Sequence, residues 1–122
     1  MASDDSILDV ALDLSKLTLS RHLLGGDLLL IPQIMKSMTS KMAAKHHREK
    51  SIFARELLSK IIDIIDHLIN RKQRKAWLDL DVKSQKEIMT SLLTSLEDAA
   101  FILANSIQHE DHYLKAQDNI SK

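Results

Sequence analysis

Cysteine is absent from the 122 residues, which excludes disulfides, thiolate zinc sites and cysteine nucleophiles but selects no compartment. One proline and two glycines leave little punctuation for hairpins, while leucine, isoleucine, lysine, alanine and serine are plentiful. Aromatics are scarce at 3%, so the single tryptophan, Trp77, is the one large anchor available. Net charge is lacking too: seventeen Lys and Arg balance seventeen Asp and Glu, and no global field draws the chain to nucleic acid or anionic lipid. No apolar run reaches membrane-spanning length, and Met1-Ala2-Ser3 leads straight into Asp4 and Asp5, without the basic and apolar regions of a signal peptide. What remains is a chain with 44% apolar and 28% charged residues, long enough for one domain and one core over 1–122.

The expected fold is all-α, a small bundle of about five or six helices. From Ser6 to Leu24 the apolar residues cover nearly every side, which predicts a largely buried first helix that ends near His22 to Leu24, where Gly25-Gly26 stops it. Asp27 can cap a second helix with Ile31, Ile34, Met35, Met38 and Met42 at helical spacing, and Pro32 favours a start near Ile31. Leu57, Ile61, Ile64 and Leu68 form one row of a third helix, with Leu58, Ile62, Ile65 and Ile69 beside it. Ala76, Trp77, Leu78 and Leu80 make a short turn or helix. Ser84 with Glu87 then has capping-box spacing, while Asp81 is a competing cap. The last long helix uses Ile88, Leu92, Leu96, Ala99, Leu103 and Ile107, with Met89, Leu93, Ala100 and Ala104 alongside, and Phe101 and Ile102 widen its apolar face. The span 109–122 is a polar C-terminal tail that frays at Asp118 to Lys122 or continues into a further segment.

Candidate chemistry is thin. His109 and His112 stand at i, i+3, but two exposed imidazoles leave a metal's coordination incomplete, and a solvated helix end accounts for them. His46 and His47 would point about 100° apart on a helix and do not converge on one ion. None of the six histidines comes with a nucleophile and an acid in a local motif. The runs Lys45 to Lys50 and Arg71 to Lys75 could attract phosphates, yet they lack interleaved aromatics, and helix C-terminal compensation explains them more cheaply. Met35, Met38, Met42 and Met89 could line a groove for a partner helix, although core filling is the simpler reading. Asn119-Ile120-Ser121 is a glycosylation sequon. No catalytic, cofactor-binding or metal-binding residue is expected.

The order of residues along the chain resembles a known family. Gly25, Gly26, Asp27 and Leu28 are similar to its Gly-Asp turn, and Leu57 through Asn70, ending in Asp66, His67, Leu68 and Ile69, to the helix before its Trp turn. Trp77, Asp79 and Leu80 resemble that turn, and Leu92, Leu93, Leu96, Glu97, Ala100, Phe101, Leu103, Ala104 and Asn105 its most recognisable helix. The family is that of the latrophilin-like adhesion G-protein-coupled receptors, and the resembling part is the helical subdomain A of their GAIN domain. The resemblance implies an extracellular part of a plasma-membrane receptor, active in cell adhesion and signalling. It also implies a partner, a following β-sandwich subdomain that carries the autoproteolysis site and is absent here. Cleavage in the family uses a histidine two positions before a Ser or Thr nucleophile, near paired cysteines; no histidine here has Ser or Thr at that offset. A cysteine expected ahead of the third helix in some relatives is missing, which leaves the subgroup open, and the cysteine-rich hormone-receptor-like module is not in this chain; with an extracellular placement implied and no signal peptide, the chain looks like an excised piece.

The resulting expectation is a non-catalytic scaffold with no cofactor, no nucleic-acid partner and no membrane insertion of its own, resting structurally on Trp77, Phe101, Leu92, Leu96, Ile61, Ile65 and Leu68. Its rival is an intracellular helical adaptor that captures an amphipathic helix through the methionine face.

Overall fold

The computed structural model describes the backbone of residues 4–45 and 50–121, with side chains except at 4, 5, 112–114 and 116–121. The elements are α1 (Asp4–Ser20), α2 (Gly25–Ala44), α3 (Lys50–Ile69), a single 3-10 turn (Arg71–Gln73), α4 (Arg74–Leu78) and α5 (Val82–Ser121). The fold is all-α, with no strand among the described residues. His46, His47 and Arg48, and the side chains of His112 and Asn119, lie outside the described residues.

Helix α3 is the centre of the assembly. Its buried row Leu57, Ile61, Ile64 and Leu68, joined by Ala54, presents one stripe to α1 on one side and α5 on the other. Helix α2 packs mainly on α5 and closes back onto α1 and α4. Ser51 near the start of α3 meets Glu110 late in α5, while Trp77, just ahead of α5, bonds to Leu68 at the end of α3, so the two long helices run antiparallel.

Helix α1 departs from the expected burial. Ile7, Ala11, Leu14, Ser15 and Thr18 are buried, but Val10, Leu12, Leu17 and Leu19 are exposed. Neighbours cover only one stripe of this helix, so apolar residues on its other sides stay wet.

The connection after α1 differs as well. The helix ends at Ser20, short of His22 to Leu24, and α2 begins at Gly25, a turn and a half before Ile31. Neither glycine takes a positive φ. Gly25 serves close approach instead: a Cβ there would lie 3.3 Å from both Asp79 Cβ and Leu80 Cδ2. Asp27 acts from inside the first turn, accepting from the Leu24 N–H at 2.8 Å, where its charge also suits the helix dipole. Pro32 is buried within α2 and forfeits one i→i−4 bond there.

At the start of α5 the competing cap prevails. The Ser84 N–H donates to Asp81 Oδ1 at 2.8 Å and the Gln85 N–H to the Asp81 carbonyl at 3.0 Å. Hydrogen bonds from the Ser84 side chain and backbone hold the Asp81 carboxyl below the usual carboxylate range. A lowered folded-state pKa means this stabilisation is present above the unfolded pKa and lost as pH falls through the folded one. We therefore expect Asp81→Ser, which keeps a neutral cap, to flatten the decline in Tm below about pH 4, as read by circular dichroism melts of both proteins.

The buried stripe of α5 is Ile88, Leu92, Ser95, Ala99, Ile102 and Ser106. It is rotated from the expected face, which leaves Met89, Leu93, Ala100, Ala104 and Ile107 exposed and Leu96 and Leu103 at the edge. Ser95 and Ser106 obscure the stripe in the sequence; Ser106 Oγ satisfies itself on the Ile102 carbonyl at 2.6 Å.

Candidate functional site

The Trp turn is held by a polar clamp. Gln73, 1% exposed, accepts from the Leu23 N–H at 2.8 Å and donates through Nε2 to the carbonyls of Arg21 at 2.7 Å and Thr18 at 3.2 Å. Lys72 Nζ adds a bond to the Leu19 carbonyl at 2.8 Å, and a His22 ring nitrogen lies 3.3 Å from the Lys72 carbonyl. The last turn of α1 leaves carbonyls that no intrahelical amide can reach. Side chains from a turn fifty residues away satisfy them, which is why no left-handed glycine is needed.

The tryptophan completes the junction. Trp77 Nε1 donates to the Leu68 carbonyl at 2.7 Å, satisfying the end of α3, and Gln85 Nε2 donates to the carbonyls of Trp77 at 2.8 Å and Leu80 at 3.1 Å. At the far end Glu110 accepts from Ser51 Oγ at 2.6 Å and from its N–H at 3.2 Å, capping the start of α3 from α5. Lys50 Nζ reaches the carbonyls of Ala43 and Lys45, compensating the C-terminus of α2. Lys50 and Lys72, one from each basic run, thus act on helix ends.

Of the expected anchors, Ile61, Leu68 and Leu92 are buried and Ile65, Trp77 and Leu96 pack against the core from its edge. Phe101 is the exception, 71% exposed. It precedes Ile102 in the buried stripe, and one residue turns a helix by about 100°, which carries the ring away from α2 and α3. The methionine groove also fails as a surface: Met35, Met38 and Met42 are core, and only Met89 reaches solvent.

Among the described residues no histidine is aligned with both a nucleophile and an acid. His67 Nδ1 lies 3.0 Å from Thr18 Oγ1, but that hydroxyl also bonds to the Ser15 carbonyl, and the pair pins α1 to α3. His109 is exposed, and among the described residues no group of three or more His, Asp or Glu is placed to hold a metal. No helix among the described residues is long and apolar enough to cross a membrane. The shallow groove between α2 and α5 is flanked by Lys36, Glu87 and Asp98, and Ser95 is the one buried polar side chain in its lining.

What stands out is an exposed apolar strip along the α3–α5 seam. Ile62 and Ile69 lie two turns apart on α3, Val82, Met89 and Leu93 follow one another on α5, and all five are exposed. Ile69, Val82 and Met89 line one depression with the edge of Trp77. Sequence periodicity places Ile62, Ile69, Met89 and Leu93 in the apolar rows of their helices; only packing separates the covered row from the open one. Gln73 and Glu110 escaped notice for a different reason, since their partners are some fifty to sixty residues away. Gln73's one local sign is that it alone is uncharged between Arg71 and Lys75.

A family model described as AGRL2-4 GAIN subdomain A matches residues 2–104. Latrophilin Cirl of Drosophila mojavensis is 35% identical over 122 residues, covering 96% of this chain, and that of Drosophila persimilis is 34% identical over the same share. Adhesion G protein-coupled receptor L1 of Homo sapiens is 27% identical over 75 residues, 62% of the chain. The chain spans about 7% of the length of the Cirl proteins and 5% of the human receptor. No solved structure matches it. With its all-helical fold and Trp turn, the chain belongs to the GAIN family of latrophilin-type adhesion G-protein-coupled receptors, as their subdomain A.

Proposed function

We propose that this chain is a non-catalytic scaffold that packs against and supports the autoproteolytic β-sandwich subdomain of a latrophilin-like receptor, on the extracellular side of the plasma membrane. Cell adhesion and G-protein-coupled signalling belong to the parent, and self-cleavage to the partner subdomain. In this reading Asn119 is a glycosylation site. The observation that carries the proposal is the strip of Ile62, Ile69, Val82, Met89 and Leu93, an apolar face left exposed among the described residues. Contiguous apolar surface of this kind marks contact with another protein surface. The α3–α5 seam is the docking face.

The test joins the chain to a latrophilin-like β-subdomain in one polypeptide and compares Ile62→Lys with Met89→Lys and, as a control on the exposed side of α1, Val10→Lys. Both strip variants are expected to expose the seam to hydrogen exchange and lower the Tm of the joined protein while leaving the isolated chain unchanged. Equal behaviour of strip and control variants would refute the docking face.

A further inference from the structure

We propose that the end of the bundle where the α1–α2 connection meets the Trp turn is a docking site for a sulfated polysaccharide chain. The clamp that caps α1 also gathers charge. Because Gln73 bonds to the backbone of Arg21 and Leu23, the connection bearing Arg21 and His22 is held against the basic segment Arg71 to Lys75. Arg71, Arg74 and Lys75 stand at i, i+3 and i+4, so three cations share the outer face of the turn while Gln73 and Ala76 fill the inner one. Arg21, Arg71, Arg74 and Lys75 are all exposed. Among the described residues the one ion pair is Lys60–Asp63, so no carboxylate lies within 4.0 Å of any of these four. A chain of zero net charge therefore gathers four cations without an ion-pair partner among the described residues at one end, with Asp27 engaged by the Leu24 N–H and Asp79 set beside Gly25.

Chemistry selects the partner. The guanidinium groups of Arg21, Arg71 and Arg74 offer paired donors that match the oxygens of a sulfate group. The basic segment Arg71 to Lys75 contains no aromatic residue, and Trp77 just beyond it is half-buried and lines the seam depression, so the patch offers little surface on which bases could stack, which disfavours single-stranded nucleic acid. Anionic lipid is concentrated on the cytoplasmic leaflet. The choice of a polysaccharide over a membrane thus rests on the extracellular placement proposed above, whereas the patch itself does not.

The probe is a heparin-derived oligosaccharide, titrated into the chain by calorimetry at several salt concentrations. Four contacts predict a logarithm of affinity that falls with the logarithm of salt with a slope on the order of three. Arg71→Glu with Arg74→Glu is expected to weaken binding by about tenfold or more and to reduce the slope by about two, at unchanged helicity by circular dichroism. Lys41→Glu with Arg55→Glu, an equal charge change late in α2 and early in α3, and Met89→Lys in the seam are expected to bind as the parent does. Loss of association with the β-subdomain alongside intact heparin binding would fault the scaffold reading and leave this site standing. Equal heparin affinity in the patch and control variants would overturn it, as would tighter binding to single-stranded RNA or to phosphatidylserine vesicles than to heparin.

Discussion

Replacing Gln73 with alanine is expected to lower the unfolding free energy by about 2–3 kcal/mol, because it strands two buried backbone groups, the Leu23 N–H and the Thr18 carbonyl, and removes the donor from the part-buried Arg21 carbonyl. The Leu23 N–H loses its acceptor, and the carbonyls of Thr18 and Arg21 lose their donor. Water cannot readily replace a side chain that is 1% exposed. Gln73→Glu should be worse than its volume suggests: it keeps an acceptor for Leu23 but turns a carboxylate toward two carbonyl oxygens. Urea unfolding followed by far-ultraviolet circular dichroism measures both. A loss below about 1 kcal/mol for the alanine variant would show that the α1 end is satisfied by other means.

Leu92→Ala is expected to cost about 3 kcal/mol, whereas Phe101→Ala, removing a larger side chain nine residues along the same helix, should stay within about 0.5 kcal/mol. Leu92 is 0% exposed at the meeting of α5 with its neighbours, so truncation opens a cavity, while Phe101 is 71% exposed and leaves none. The comparison tests the rotation of the α5 stripe directly. Similar losses at both positions, in the same urea titration, would place Phe101 inside an interface that the helical packing does not provide.

Residues with local partners were legible from the sequence. The Leu57, Ile61, Ile64 and Leu68 row announced α3 because helical period and burial coincide there. Asp81 announced the start of α5 because a cap acts within one turn. Where apolar residues outnumber the positions that neighbours can cover, periodicity stops deciding: Leu92 and Leu93 are equally apolar, yet one is core and the other open. In α5 the covered stripe runs through Ser95 and Ser106, small polar residues that hydrophobic periodicity does not count as core. The end of α1 was hidden for a related reason. Its cap comes from the 3-10 turn, so the glycines after it looked like a stop when Gly25 is a contact point for α4.

The candidate surfaces follow the same division. The basic segment Arg71 to Lys75 was visible, but not that Lys72 turns inward onto α1 while Arg71, Arg74 and Lys75 remain outside beside Arg21. The strip along the α3–α5 seam was visible only as excess hydrophobicity. Excess of that kind reads as core until the helices are seen to leave it bare, as they do for Ile62, Ile69 and Met89.

The most direct measurement of the scaffold role is a calorimetric titration of this chain with the β-sandwich subdomain of a latrophilin-like receptor, with light scattering to follow mass. The account predicts one-to-one association with a negative heat-capacity change from apolar burial, abolished by Met89→Lys. A chain that stays monomeric and gives no heat with that subdomain at any temperature would contradict it.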